Sequence, residues 1–144
     1  MGPKFLVETY VAMGRSLLEE LDKAGISVPA AIWLYSSDSE EWALVLAPEE
    51  YEKYGPAHFY GLLQDLLARM NPPSSISFLN ISLVSPRNSL IRALASAIPT
   101  GTGIADIRFR KHIFDGILVD DAVVYRMLPL ATTAIGSQQP SQAS

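Results

Sequence analysis

Ile104-Ala-Asp-Ile-Arg-Phe-Arg-Lys-His-Ile-Phe-Asp-Gly-Ile-Leu-Val-Asp-Asp-Ala-Val-Val-Tyr-Arg126 is the stretch whose reading decides the fold. Asp115-Gly116 is a dipeptide that readily takes the positive φ angles a two-residue hairpin turn demands, so the flanking runs read as paired strands. A turn there puts Phe114 opposite Ile117, Lys111 opposite Asp120, Arg110 opposite Asp121 and Ile107 opposite Val124. Two oppositely charged pairs then face each other, which the turn alone does not require.

A second hairpin lies upstream. Ala30-Ala-Ile-Trp-Leu-Tyr35 and Glu41-Trp-Ala-Leu-Val-Leu-Ala47 are strand-forming runs separated by the polar Ser36-Ser-Asp-Ser-Glu40. Between the hairpins the period changes. Pro56 fits the first position of a helix running to Met70 with Phe59, Leu62, Leu63, Leu66, Leu67 and Met70 inward, preceded by a helical turn over Glu49 to Tyr54. Ile76 to Ser85 reads as a central strand buried on both faces. Ser85-Pro86 predicts an N-cap and first-turn proline for a third helix whose inner face is Leu90, Ile91, Leu94, Ala95 and Ile98.

At the start, Phe5 to Ala24 predicts a helix with Leu6, Tyr10, Met13, Leu17 and Leu21 along one stripe, Glu19 and Lys23 as an i,i+4 pair, and Gly25 as its terminator. The order is therefore α-β-β-α-β-α-β-β. It predicts a single α+β domain over residues 1–128, a mixed five-stranded sheet with helices packed on it, followed by a charge-free, loosely ordered tail over 129–144.

The 144 residues match one ordinary domain, and 49% hydrophobic content is too apolar for disorder. Only 18% of residues are charged, which leaves apolar surface for a partner or a second copy. With no cysteine, disulfides, thiol nucleophiles and cysteine-ligated metals are excluded. No run of the chain is apolar enough to span a membrane and no secretory signal is legible, so a cytoplasmic location is expected. The net charge of −4 is uneven: −6 over residues 1–70, +4 over 71–114 and −2 over 115–144.

Catalytic signatures are missing. Pro99-Thr-Gly-Thr-Gly103 runs from helix to strand, the wrong order for a phosphate loop, and no nucleophile elbow or His-Glu-x-x-His occurs. His58 and His112 read as structural, so no catalytic residue, metal ligand or cofactor is expected. Asp106, Asp120 and Asp121 offer a weaker hydrolase or nuclease alternative, but neighbouring strand positions point to opposite faces. The acids Asp38, Glu40, Glu41, Glu49, Glu50 and Glu52 read as a solvated surface.

Two sets remain as candidate sites. Arg87, Arg92, Arg108, Arg110 and Lys111 form a local basic set that would attract a nucleotide or nucleic acid if the third helix brought them together. Trp33, Tyr35 and Trp42 on the first hairpin are core residues or, if exposed, an interface. The leading expectation is a non-enzymatic protein-interaction or accessory module that binds a protein partner or forms a homo-oligomer, with the basic set as the alternative.

Ile32-Trp-Leu-Tyr35, Glu41 to Ala47, Gly103 to Phe109 and Asp115 to Arg126 together resemble a family of small uncharacterised bacterial proteins of similar length. The likeness spans most of residues 5–127. It implies a bacterial cytosolic origin and carries no activity or site.

Overall fold

The computed structural model describes residues 8–70, 81–114 and 116–128. Helix α1 (Glu8–Lys23) ends where Gly25 takes φ +77°. A positive φ there costs glycine nothing, so the chain turns directly into strand β1 (Ala30–Ser36). Strand β2 (Glu41–Ala47) pairs back on β1 with Tyr35 opposite Trp42 and Ala30 opposite Ala47.

Helix α2 (Tyr51–Arg69) carries the predicted break. Gly55 has φ +83° and Pro56 follows it, so a short first segment kinks into the longer one. Strand β3 (Ile81–Leu83) then lies parallel to β2. Residues 76–80 of the predicted central strand, residues 5–7 of the predicted first helix, Asp115 of the hairpin turn and the tail over 129–144 lie outside the described residues.

Helix α3 (Ser89–Ala97) starts three residues later than predicted, its cap moving from Ser85. Asn88 is the N-cap: its Oδ1 accepts from the amides of Leu90 at 2.9 Å and Ile91 at 3.4 Å. Ser85 instead closes a turn, with its Oγ accepting from Arg87 N at 3.0 Å and its carbonyl from Asn88 N. Strand β4 (Ile107–Phe114) and strand β5 (Ile117–Met127) form the terminal hairpin in the predicted register, with Phe114 opposite Ile117, Arg110 opposite Asp121 and Ile107 opposite Val124.

The result is an α+β single domain with three helices and a five-stranded mixed sheet in the order β3-β2-β1-β5-β4. α1 and α2 cover one face. Val11, Leu17, Leu18, Leu21, Phe59, Leu63, Leu66 and Leu67 pack there on Trp33, Trp42, Leu44, Leu46, Val123 and Tyr125. α3 covers the other, where Ile91, Leu94 and Ala95 meet Ile32, Val45, Ala122, Val124 and Met127. Alternation along the inner strands feeds both cores, as a sheet covered on both faces requires.

Two further groups tie the last strand to α1. The Tyr125 hydroxyl donates to the Val11 carbonyl and accepts from Trp33 Nε1 at 3.0 Å. Arg126, 5% exposed, forks onto both oxygens of Asp22 at 3.0 and 2.7 Å and also reaches the carbonyls of Val28 and Gly103. That satisfies a buried guanidinium with acceptors on three segments. On the exposed side of α1, Lys23 pairs with Glu20 at 3.5 Å rather than with Glu19.

Candidate interaction surface

The basic set is taken apart by the strand order. Arg87 follows β3 and Arg108 lies on β4, at opposite edges of the sheet and four strand spacings, about 19 Å, apart. Each has a local carboxylate. Arg87 Nη1 lies 3.0 Å from Glu52, whose carboxyl also accepts from the Ser85 hydroxyl. That hydroxyl, assisted by Arg87, holds Glu52 below the usual carboxylate range against a small desolvation cost.

Arg108 lies 2.9 Å from Glu8 and 3.3 Å from Asp106, and its hydrogen bond to Glu8 is the main reason its pKa is raised. Arg110 lies 3.7 Å from Asp121. Arg92 stands alone on the outer side of α3, beside Ser89 and Ser96. The guanidinium groups therefore end in ion pairs or stand apart; they do not converge on a cleft. Like Arg92, Lys111 has no carboxylate paired with it among the described residues.

The predicted Lys111–Asp120 pair fails for a backbone reason. Lys111 has φ +45°, a left-handed conformation that costs a non-glycine residue about 1 kcal/mol or more. The ladder skips Lys111 and Asp120, resuming at His112 and Val119, while Asp120 Oδ2 accepts from Ser37 N at 3.3 Å. The break also shifts the side-chain alternation by one. Phe109 and His112, three residues apart, bring their rings within 6.2 Å, and His112 and Phe114 within 4.4 Å, on the α3 side.

This shift has a surface consequence. With His112, Phe114 and Val119 turned toward α3, Ile113 and Leu118 fall on the face that carries Arg108 and Arg110. They lie directly opposite each other and are 66% and 60% exposed. This part of the hairpin runs past β1, whose pairing with β5 stops at Tyr35 and Asp121. Among the described residues, Tyr54 on α2, 48% exposed, is the other large exposed hydrophobic.

β4 is also a sheet edge. Among the described residues no backbone hydrogen bond reaches its outer side, so alternate amides and carbonyls from Ile107 to Phe114 face outward. The opposite edge, β3, is three residues long. Hence the exposed arm combines a free edge, an aliphatic pair and the bases Arg110 and Lys111.

The aromatic set lies elsewhere. Trp33 and Trp42 are buried in the core under α1 and α2, and Tyr35 is half-buried with its ring 5.4 Å from that of Trp42. Their apolar surface is spent on folding, and the two indoles offer a partner no surface. Asp106, Asp120 and Asp121 are engaged with Arg108, Ser37 and Arg110, and among the described residues no three His, Asp or Glu side chains gather into a metal-sized cluster. His58 is exposed and stacks on Tyr54 at 4.8 Å.

Neither Ile113 nor Leu118 stood out in the sequence, since a regular strand pairs each with apolar neighbours. The signal that exposes them is the left-handed residue at 111, which no residue type announced. No helix among the described residues is long and apolar enough to cross a membrane. No protein-family model, no curated protein and no solved structure matches this chain.

Proposed function

We infer that this protein is a non-enzymatic protein-interaction module that engages its partner through the β4–β5 hairpin arm. The observation that carries this is the solvent-facing Ile113–Leu118 pair beside an eight-residue edge strand whose outer side meets no other strand among the described residues. A folded chain gains nothing from two large aliphatics in water beside an open edge, and natural sheets usually cover or blunt such edges. A partner that covers them would use both features. A bacterial cytoplasmic setting belongs to the same proposal and rests on the sequence alone.

Nucleotide or nucleic-acid binding through Arg87, Arg92, Arg108, Arg110 and Lys111 gains no support from positions spread over α3 and two opposite sheet edges, with Arg87, Arg108 and Arg110 each beside a carboxylate. The test is recovery of the tagged protein from cells that naturally make it, unaltered and with Ile113→Lys plus Leu118→Lys. Both substituted positions are exposed, so the circular dichroism spectrum should not change. A co-purifying species or self-association present in the first and lost in the second is expected; an identical profile from both would contradict the reading.

A further inference from the structure

The exposed apolar groups sit at the two ends of the molecule. Ile113 and Leu118 stand at the tip of the hairpin arm, beyond the end of β1 at Tyr35. Tyr54, the third large exposed hydrophobic among the described residues, stands past the other end, where β2 closes at Ala47 and α2 begins. It lines a hollow of about 410 Å³ in which Ile26, Phe59 and Leu62 supply the apolar side and Glu49 and Glu50 the acidic side. The Glu49 amide donates to the Ser27 carbonyl at 3.0 Å, which ties the start of α2 to the turn after α1 and holds the hollow's two walls together.

Charge divides between the same two ends. No cation pairs with Glu49 among the described residues, and Glu50 shares Lys53 at 3.8 Å. At the tip Lys111 has no carboxylate among the described residues, whereas Arg110 stays with Asp121 and is not called on. Residues 1–70, which build the hollow, carry −6; residues 71–114, which end in the tip, carry +4. The tip cannot reach the hollow of its own copy. Five residue steps run from Ala30 to Tyr35 and three more from the facing Asp121 to Leu118, about 26 Å at the rise of a strand.

We propose that the occupant of the arm's surface is a second copy of this chain, with the tip of one copy seated in the hollow of the next. This step rests on the interaction reading above and names its partner. Ile113 and Leu118 meet Tyr54, Ile26 and Leu62, while Lys111 reaches Glu49 at the rim on its long flexible stem. The end of the β4 edge from Lys111 to Phe114 goes in with them. One contact then covers the three large hydrophobics that the described residues leave in water, and sets a base against an acid. The two patches differ, so the contact is heterologous and runs from copy to copy. It is also small, which makes the association weak and dependent on concentration.

The experiment is sedimentation velocity on the purified full chain over a concentration series, in low and in high salt. The sedimentation coefficient should rise with concentration in low salt and retreat in high salt. Lys111→Glu alone and Glu49→Lys alone should each weaken association by about tenfold or more, because each sets like charges together. Both side chains are exposed, and Glu49 holds the hollow through its amide, so the circular dichroism spectra should not change. An equal mixture of the two variants should associate again, since each supplies the end that the other has lost, and Ile113→Lys with Leu118→Lys should abolish association. A chain that stays monomeric throughout in low salt, association indifferent to either charge reversal, or a mixture no stronger than its components would overturn the proposal. A monomeric chain whose co-purifying species is still lost through Ile113→Lys and Leu118→Lys would leave the module reading standing with a different partner; one that loses nothing through those changes would remove the module reading as well.

Discussion

Gly14 shows how one missing side chain sets the packing of the principal core. A Cβ built there would lie 2.5 Å from the Tyr125 hydroxyl and 2.8 Å from Trp33 Nε1, both held by hydrogen bonds that leave no room to yield. Gly14→Ala gains about 1 kcal/mol of helix propensity but should lose roughly 1–3 kcal/mol to overpacking, so a net fall in the urea midpoint is expected; a rise would show that α1 sits farther from β5. Burial pushes the Tyr125 hydroxyl up to about 12. The folded state therefore keeps this proton where the unfolded chain, near the ordinary value of about 10, has lost it. Stability from this group is intact below about pH 10 and falls by about 1.4 kcal/mol per pH unit as pH rises toward 12. Tyr125→Phe should be less stable at neutral pH yet lose less between pH 10 and 12, measured by denaturant unfolding at each pH. At Lys111 the left-handed backbone makes glycine the better residue for folding, and Lys111→Gly should raise stability by about 0.5 kcal/mol in the same assay.

Element boundaries depend on contacts between a few backbone groups, and these were legible in the sequence to different degrees. Gly25 and the Gly55-Pro56 pair act through their own dihedral preferences, so the end of α1 and the kink of α2 follow from residue type. The cap of α3 was less legible. Ser85-Pro86 and Asn88 are both good starting signals, and the choice falls to Asn88 because Ser85 is engaged by Glu52 and Arg87 N. Asn88→Ala should therefore cost about 1 kcal/mol in thermal or urea unfolding, whereas a cap at Ser85 would make the change nearly neutral. The hairpin register was readable from Asp115-Gly116 and the charge pattern, and it was met from Phe114–Ile117 to Ile107–Val124 except at the Lys111–Asp120 pair. The break at Lys111 was not, since lysine has no preference for positive φ. That single dihedral turns the arm's outer residues over and creates the surface assigned to the partner.

At the scale of the whole molecule, strand order decides which sequence neighbours stay together. Arg87, Arg92, Arg108 and Arg110 lie within a short span of chain, yet β3 and β4 become opposite edges because α3 crosses one entire face between them. Nothing in local composition reports that separation. The same topology leaves β4, the basic strand, as the long edge, and places β1 at the centre between β2 and β5, where both faces are covered. The two tryptophans go inward with β1 and β2, and the exposed aliphatics are left at the tip of the last hairpin. The central claim is that this tip is where the protein meets its partner. A photoreactive amino acid placed at Ile113, compared with one at the exposed Arg92 on α3, tests it directly in cells that naturally make the protein. The account predicts a discrete cross-linked species from position 113 that is absent from position 92 and is lost when Leu118→Lys is added; cross-links that form equally from both positions, or from 92 alone, would contradict it.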